Sequence, residues 1–183
     1  MGPTGGIMRI LLILIVLSVC VSRPAWAGVL DRRGHEVNLG FQYYNTKDFG
    51  STLDFSGTWL LILGEGYIEV GPQVEYARID PKGEGSVDAL MAGPRFEMNF
   101  TPEEPLTGYL SFTPFFTGGD LGKNTNGGIS GGIGVKAFAG DSASVNTLIG
   151  GQKIFADGNF EDQDSFFISV SLSLYLGQPI PLK

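Results

Sequence analysis

The chain has 183 residues, a formal net charge of −7 and a single cysteine, Cys20. That length suits one domain of ordinary size. An acidic chain with no basic stripe argues against nucleic acid as a partner, and one cysteine excludes an internal disulfide framework.

Residues 1–27 read as a separable leader. Arg9 precedes the apolar run "ILLILIVLSVCV", and "SRPAWA" follows with Ala25 and Ala27 at the small-residue positions of a cleavage site. That is the three-part layout of a secretory signal peptide. The run is about 12 residues, short of the about 20 a transmembrane helix needs. A lipoprotein reading through Cys20 is weaker, because Val19 stands where a small residue is wanted. Cleavage after Ala27 removes Arg9, Arg23 and Cys20 and takes the net charge from −7 to −9.

Residues 28–183 predict a single all-β domain. Segments with period-two alternation recur between Gly/Pro/Asp/Asn clusters, the pattern of a sandwich or barrel. In chain order they lie at about 35–45 ("HEVNLGFQYYN"), 53–63 ("LDFSGTWLLIL"), 67–79, 87–100, 106–117, 128–139, 144–155 and 165–176. The first strand sets Val37, Leu39, Phe41 and Tyr43 against Glu36, Asn38, Gly40 and Gln42. The last sets Phe166, Ile168, Val170, Leu172, Leu174 and Leu176 against Phe167, Ser169, Ser171, Ser173 and Tyr175. The third and fourth each contain Gly-Pro, in "VGPQVEYA" and "AGPRFEMN".

Alternation alone leaves open which face is inside. Three features favour apolar outward and polar inward. The apolar face is bulky on nearly every strand and would overfill a barrel whose interior only just holds side chains. Aromatics such as Tyr67, Tyr76, Phe100, Phe116 and Tyr175 gather near strand ends, as interfacial girdles do. The strand lengths suit the about 9–11 residues that cross a bilayer at a tilt. The connections "GEG", "TPEEP" and "GDSA" are short, whereas "GGDLGKNTNGG" and "DGNFEDQD" are long, the usual inner and outer asymmetry.

The expected fold is therefore an eight-stranded antiparallel up-and-down transmembrane β-barrel. Proline cannot donate to a ladder, so the Gly-Pro pairs constrain register. Placing Pro72 opposite Pro94 sets Val70 against Phe96, Gly71 against Arg95, Gln73 against Gly93 and Glu69 against Glu97. Their missing donors then point away from each other, towards strands 2 and 5. Each glycine is expected to make room for the large polar chain opposite it. The inferred interior network comprises Glu69, Gln73, Glu75, Arg95, Glu97 and Lys136, with Arg95 as the central cation.

At this point the chain resembles the small outer-membrane β-barrel proteins of Gram-negative bacteria, the superfamily of OmpX-like, OmpW-like and OmpA barrels. The residues that carry the resemblance are the leader, eight alternating strands and the final strand "FFISVSLSLYL". One departure is that such proteins usually end on an aromatic residue, whereas this chain continues from Tyr175 into "LGQPIPLK". The resemblance implies residence in the outer membrane, contact with its lipid and lipopolysaccharide, assembly by the barrel-insertion machinery, and a monomer.

Catalysis is not expected. Some barrels of this size modify lipid A with a His, a Ser and an acid near the outer rim. The sole histidine here, His35, lies at the start of strand 1 without a neighbouring serine. No cofactor or metal is expected; the acidic run from Asp157 to Asp164 lacks the glycine and bidentate Glu of a calcium-binding loop. "GGISGGIGVKA" lacks the strand–helix context of a phosphate loop. The expected function is a non-enzymatic structural or surface-interaction role with a plugged interior. The alternative is a narrow channel or conduit for small, including hydrophobic, solutes. A lipid A-modifying enzyme and a soluble lipocalin-like barrel rank below both.

Overall fold

The computed structural model describes residues 30, 33–46, 50–80, 85–123, 125–157 and 162–177; the leader, 1–27, lies outside them. Eight strands form a closed antiparallel barrel in sequence order: β1 (His35–Thr46), β2 (Gly50–Leu63), β3 (Ile68–Asp80), β4 (Val87–Asn99), β5 (Leu106–Gly119), β6 (Thr125–Phe138), β7 (Ala143–Ala156) and β8 (Gln163–Leu176). β1 pairs with both β2 and β8, which closes the sheet within one chain.

The two faces have inverted polarity. Leu39, Phe55, Trp59, Phe96, Phe112, Phe116, Ile133, Leu172 and Leu174 stand exposed on the outer wall. Glu36, Glu69, Glu97, Lys136, Asn38, Asn99 and Asn146 are buried inside. A water-soluble barrel has the opposite order, because burial of apolar area drives its folding. The chain's period-two pattern thus forms strands whose apolar side points out.

The prolines act on register as their chemistry requires. β3 and β4 pair without interruption from Ile68↔Met98 to Ile79↔Val87, with Pro72 opposite Pro94. The breaks fall on the other sides. The β2–β3 ladder skips from Thr58↔Gln73 to Leu61↔Val70, and the β4–β5 ladder skips from Ala92↔Phe116 to Phe96↔Phe112. Within the second gap Pro94 lies across from Pro114, so two residues without N–H groups meet.

The glycines before these prolines serve a purpose other than the one expected. A Cβ on Gly71 would strike the Trp59 carbonyl of β2, and one on Gly93 would strike the Pro114 carbonyl of β5. The crowding comes from the backbone of the strand on the unpaired side, not from Arg95 or Gln73. Without a ladder N–H to hold it, that backbone settles against the bare Cα.

Glycines of β6 and β7 form a second set. A Cβ on Gly128 would lie 2.6 Å from the Phe115 ring, one on Gly134 2.5 Å from the Tyr109 ring, and one on Gly150 2.7 Å from the Phe167 ring. Three inward aromatic rings therefore pack directly against glycine backbone. This packing explains the Gly-rich string of β6 without any phosphate ligand.

The loop read over "GGDLGKNTNGG" shrinks, because β5 continues to Gly119 and β6 begins at Thr125. Threonines hold this extension: Thr125 Oγ1 donates to the Leu121 carbonyl at 2.9 Å, and Thr117 Oγ1 donates to the Thr125 carbonyl at 2.8 Å. Asp120, at its tip, is held below the usual carboxylate pKa by the Lys123 ammonium and the Asp88 N–H.

Gly134→Ala must push both the Tyr109 ring and the Thr147 carbonyl, each 2.5 Å from the new Cβ. It should cost about 1–3 kcal/mol. Gly57→Ala meets nothing within 4 Å and should stay within about 0.5 kcal/mol of the parent. Urea unfolding in lipid vesicles measures both.

Candidate functional site

The barrel interior is filled from the short-turn end upward in layers. Leu30, Ile62, Phe138 and Tyr175 form a fully buried apolar cluster at that end. Leu30 precedes β1 and sits against Gly66 and Pro102. Arg33 ties the same segment down, donating to the Asp141 carbonyl and to Ser142 Oγ, both at 3.1 Å.

Above this apolar floor lies a charged knot centred on Lys136 of β6, whose side chain has no exposure. Its Nζ is 2.7 Å from Glu36 Oε2 on β1 and pairs with Glu69 Oε1 on β3. It also stands 2.7 Å from Glu97 Oε2 on β4, an ion-pair contact without hydrogen-bond alignment. The ammonium lies 5.2 Å from the Tyr109 ring centroid, which adds a cation–π contact. The three carboxylates lie within 4.8 Å of one another, a spacing that suits a metal ion. Here the lysine ammonium supplies the positive charge at their centre.

Neutral groups complete the knot. Asn99 Nδ2 donates to Glu69 Oε1 at 2.7 Å and to the Gly66 carbonyl at 2.8 Å. Ser173 Oγ donates to Glu36 Oε1. Asn38 Nδ2 donates to Ser171 and Ser173 Oγ at 2.9 and 2.8 Å, and Asn146 Nδ2 donates to Ser173 Oγ at 2.6 Å. Ser144 Oγ shares a 2.8 Å hydrogen bond with the Tyr175 hydroxyl. The serines of β8 are thus acceptors and donors that the barrel wall turns inward.

Arg95 forms the next layer. Its Nε donates to Glu97 Oε1 at 2.6 Å and an Nη donates to Gln73 Oε1 at 3.0 Å. Gln73 Nε2 in turn donates to Glu75 Oε2 at 3.3 Å. All six residues inferred from the sequence point inward, but they divide into two groups. Glu69 and Glu97 meet Lys136, and Arg95 reaches Glu97 and Gln73 without pairing to Glu69 or Glu75. The expected central cation, Arg95, is therefore peripheral, and Lys136 is the hub. Glu36, Asn99 and Asn146 belong to the hub as well, and their inward parity in the sequence is the signal that finds them.

Other candidates fall away from this interior. His35 lies on the outer wall, stacked on Trp59 with ring centroids 5.6 Å apart. Of the acidic loop, Asn159 and Glu161 lie outside the described residues. Asp162 accepts the Ala156 N–H at 3.2 Å and pairs with Lys153 Nζ at 3.2 Å. Those two contacts, the N–H first, hold its carboxyl below the usual pKa.

No protein-family model matches the chain, and no curated protein matches it. Among solved structures it is similar to the N-terminal β-barrel domain of Pseudomonas aeruginosa OprF. The identity is 11%, covering 79% of this chain and 98% of that one, with a TM-score of 0.49.

Lys136→Met would strand three buried carboxylates, whereas Arg95→Met leaves Glu97 beside Lys136. The first should cost about 3–5 kcal/mol, the loss typical when one partner of a buried pair is removed. The second should cost clearly less. Paired urea titrations in vesicles give the order of the two losses, and a larger loss for Arg95→Met would overturn Lys136 as hub.

Proposed function

We propose that this chain is an integral barrel of the Gram-negative outer membrane with a non-enzymatic structural role, its inner half sealed by the Lys136 knot. The observation that carries the reading is the inverted polarity: an apolar wall of exposed Leu, Ile, Phe and Trp surrounds buried Glu, Lys and Asn. In a bilayer every backbone polar group must be satisfied internally, and a closed barrel does so. Strands of 12 to 14 residues are more than long enough to cross at a tilt. Outer-membrane lipid and lipopolysaccharide are then the surroundings of the wall, the insertion machinery is its assembly partner, and the leader directs export. Closure of β1 on β8 within one chain supports a monomer.

The second reading, a conduit for small or hydrophobic solutes, draws on the cavity in the outer half of the barrel. The knot and the apolar floor beneath it oppose free passage, so purified protein in planar bilayers should show no stable conductance steps. Regular single-channel openings would favour the conduit.

Membrane fractionation with heat-modifiable gel mobility tests location. Recovery in the soluble periplasm alone would overturn the membrane reading. The wall itself is tested by Leu172→Arg, at a side chain 62% exposed near the middle of the apolar band. It should lower folding stability in lipid by about 2–4 kcal/mol. Unchanged insertion into vesicles would mean that this face does not meet lipid.

A further inference from the structure

Above Arg95 the interior opens into a cavity of about 740 Å³. That falls in the range of small-molecule sites, about 300–1,000 Å³. Its walls differ in chemistry. Asp54 of β2 and Glu75 of β3 face it from one side. Met91, Phe115, Leu148 and Phe167, from β4, β5, β7 and β8, face it from the other.

The acidic side holds two carboxyl groups in contact, Asp54 hydrogen-bonded to Glu75. Arg95 at the floor is taken by Glu97 at 2.6 Å. Asp54 is only 8% exposed, yet among the described residues neither it nor Glu75 forms an ion pair. Glu75 shares a hydrogen bond with Asp54 and accepts one N–H, from Gln73 at 3.3 Å. Two buried carboxyls in contact hold a proton between them, and a cation that takes the place of that proton is attracted far more strongly than it would be in solvent.

The wall is also incomplete beside this cavity. The β1–β8 ladder runs from His35↔Leu176 to Phe41↔Val170 and stops there. β1 continues to Thr46, paired with Gly50 of β2, and β8 begins at Gln163, paired with Ile154 of β7. Each strand keeps its other neighbour along the stretch where the two part. The outward side chains Phe41, Phe166, Ile168 and Val170 border the cavity at this seam. Non-ladder backbone at membrane depth is tolerated where it lines a cavity.

We propose that the outer cavity binds a single-chain amphiphile with an ammonium head, reached from the lipid through the β1–β8 seam. The head sets against Asp54 and Glu75, and the alkyl chain lies along Phe115, Leu148 and Phe167 towards the seam. An anionic head would face two carboxylates, and the narrow interior of eight strands favours one chain over two. This inference rests on the membrane reading above.

The full mature protein is placed in phosphatidylcholine nanodiscs, checked for heat-modifiable mobility, and offered dodecylammonium, dodecanol or dodecyl sulfate. Native mass spectrometry should show a one-to-one adduct strongest with dodecylammonium. The double variant Asp54→Asn/Glu75→Gln should weaken that adduct at least tenfold while leaving the dodecanol adduct unchanged. Ser169→Trp, which fills the cavity, should remove both. A diazirine-bearing alkylammonium should label residues 165–170 of β8. Equal adducts with all three probes, no adduct with inserted protein, or label spread over the whole outer wall would each overturn the proposal while leaving the membrane barrel standing. A chain that never inserts into lipid would overturn both.

Discussion

The interior depends on one buried ammonium. Lys136 on β6 reaches carboxylates on β1, β3 and β4, joining four of the eight strands across the lumen. None of those strands is the hydrogen-bonded neighbour of β6, which pairs with β5 and β7. Ladder bonds hold adjacent strands together around the circumference, and the knot holds opposite walls together across it. The apolar exterior cannot perform this task, because its side chains point away from the lumen. In such a barrel the polar residues take the place of a hydrophobic core. Their desolvation cost is offset only if nearly every lone pair and proton is used. Asn99 and Ser173 fill valences of Glu69 and Glu36 that Lys136 leaves open, while Glu69 Oε2, Glu97 Oε2 and Asn99 Oδ1 accept no hydrogen bond, so the knot leans on the charge of Lys136 at its centre.

Glycine placement follows from the same geometry. A small barrel must fit three inward rings, Tyr109, Phe115 and Phe167, beside the charged layer. Side chains on β6 and β7 at those heights would collide with the rings, so the strands carry glycine there. The Gly-Pro pairs solve a different problem. Proline leaves a neighbouring carbonyl without a donor, and glycine lets that backbone approach an α-carbon instead. Weak Cα–H···O contacts of this kind recur in sheets. Pro94 facing Pro114 then confines two missing donors to one gap in the β4–β5 ladder.

Much of the fold was legible because period two is a strong signal and proline narrows register. Pro72 opposite Pro94 follows from the requirement that two donors be absent on the outer sides, and the β3–β4 ladder has that register. The hub was harder to find. Alternation says that Lys136, Arg95 and Glu36 face inward, but not which meet across the lumen. That depends on strand tilt and shear, properties of the closed cylinder rather than of any segment. Arg95 looked central because Glu69 and Glu97 are its neighbours along and across adjacent strands, whereas Lys136 is 100 positions from Glu36. Leu30 was missed for another reason, since it precedes the first strand and has no place in its alternation. The β6 start at Thr125 was hidden by "NTNGG", whose turn composition is overridden by threonine hydrogen bonds.

The two halves of the lumen are consequences of one distribution of volume. Large polar side chains are concentrated towards the short-turn end, where Glu36, Glu69, Glu97 and Lys136 meet above Phe138 and Tyr175. Towards the other end the inward positions of β8 and β6 shrink to Ser165, Ser169 and Ser130, and the lumen is left partly unfilled. A wall needs either inner packing or a complete ladder to remain shut. β1 and β8 lose their mutual ladder beyond Phe41↔Val170, at the height where the cavity is lined by Phe167 and Leu148 rather than by the knot. Plug and seam are thus coupled: the knot ties the lower ends of β1, β3, β4 and β6, while the upper seam lacks any such tie. The knot thus braces the lumen at the short-turn end, and the unfilled volume and the unpaired seam fall together at the other.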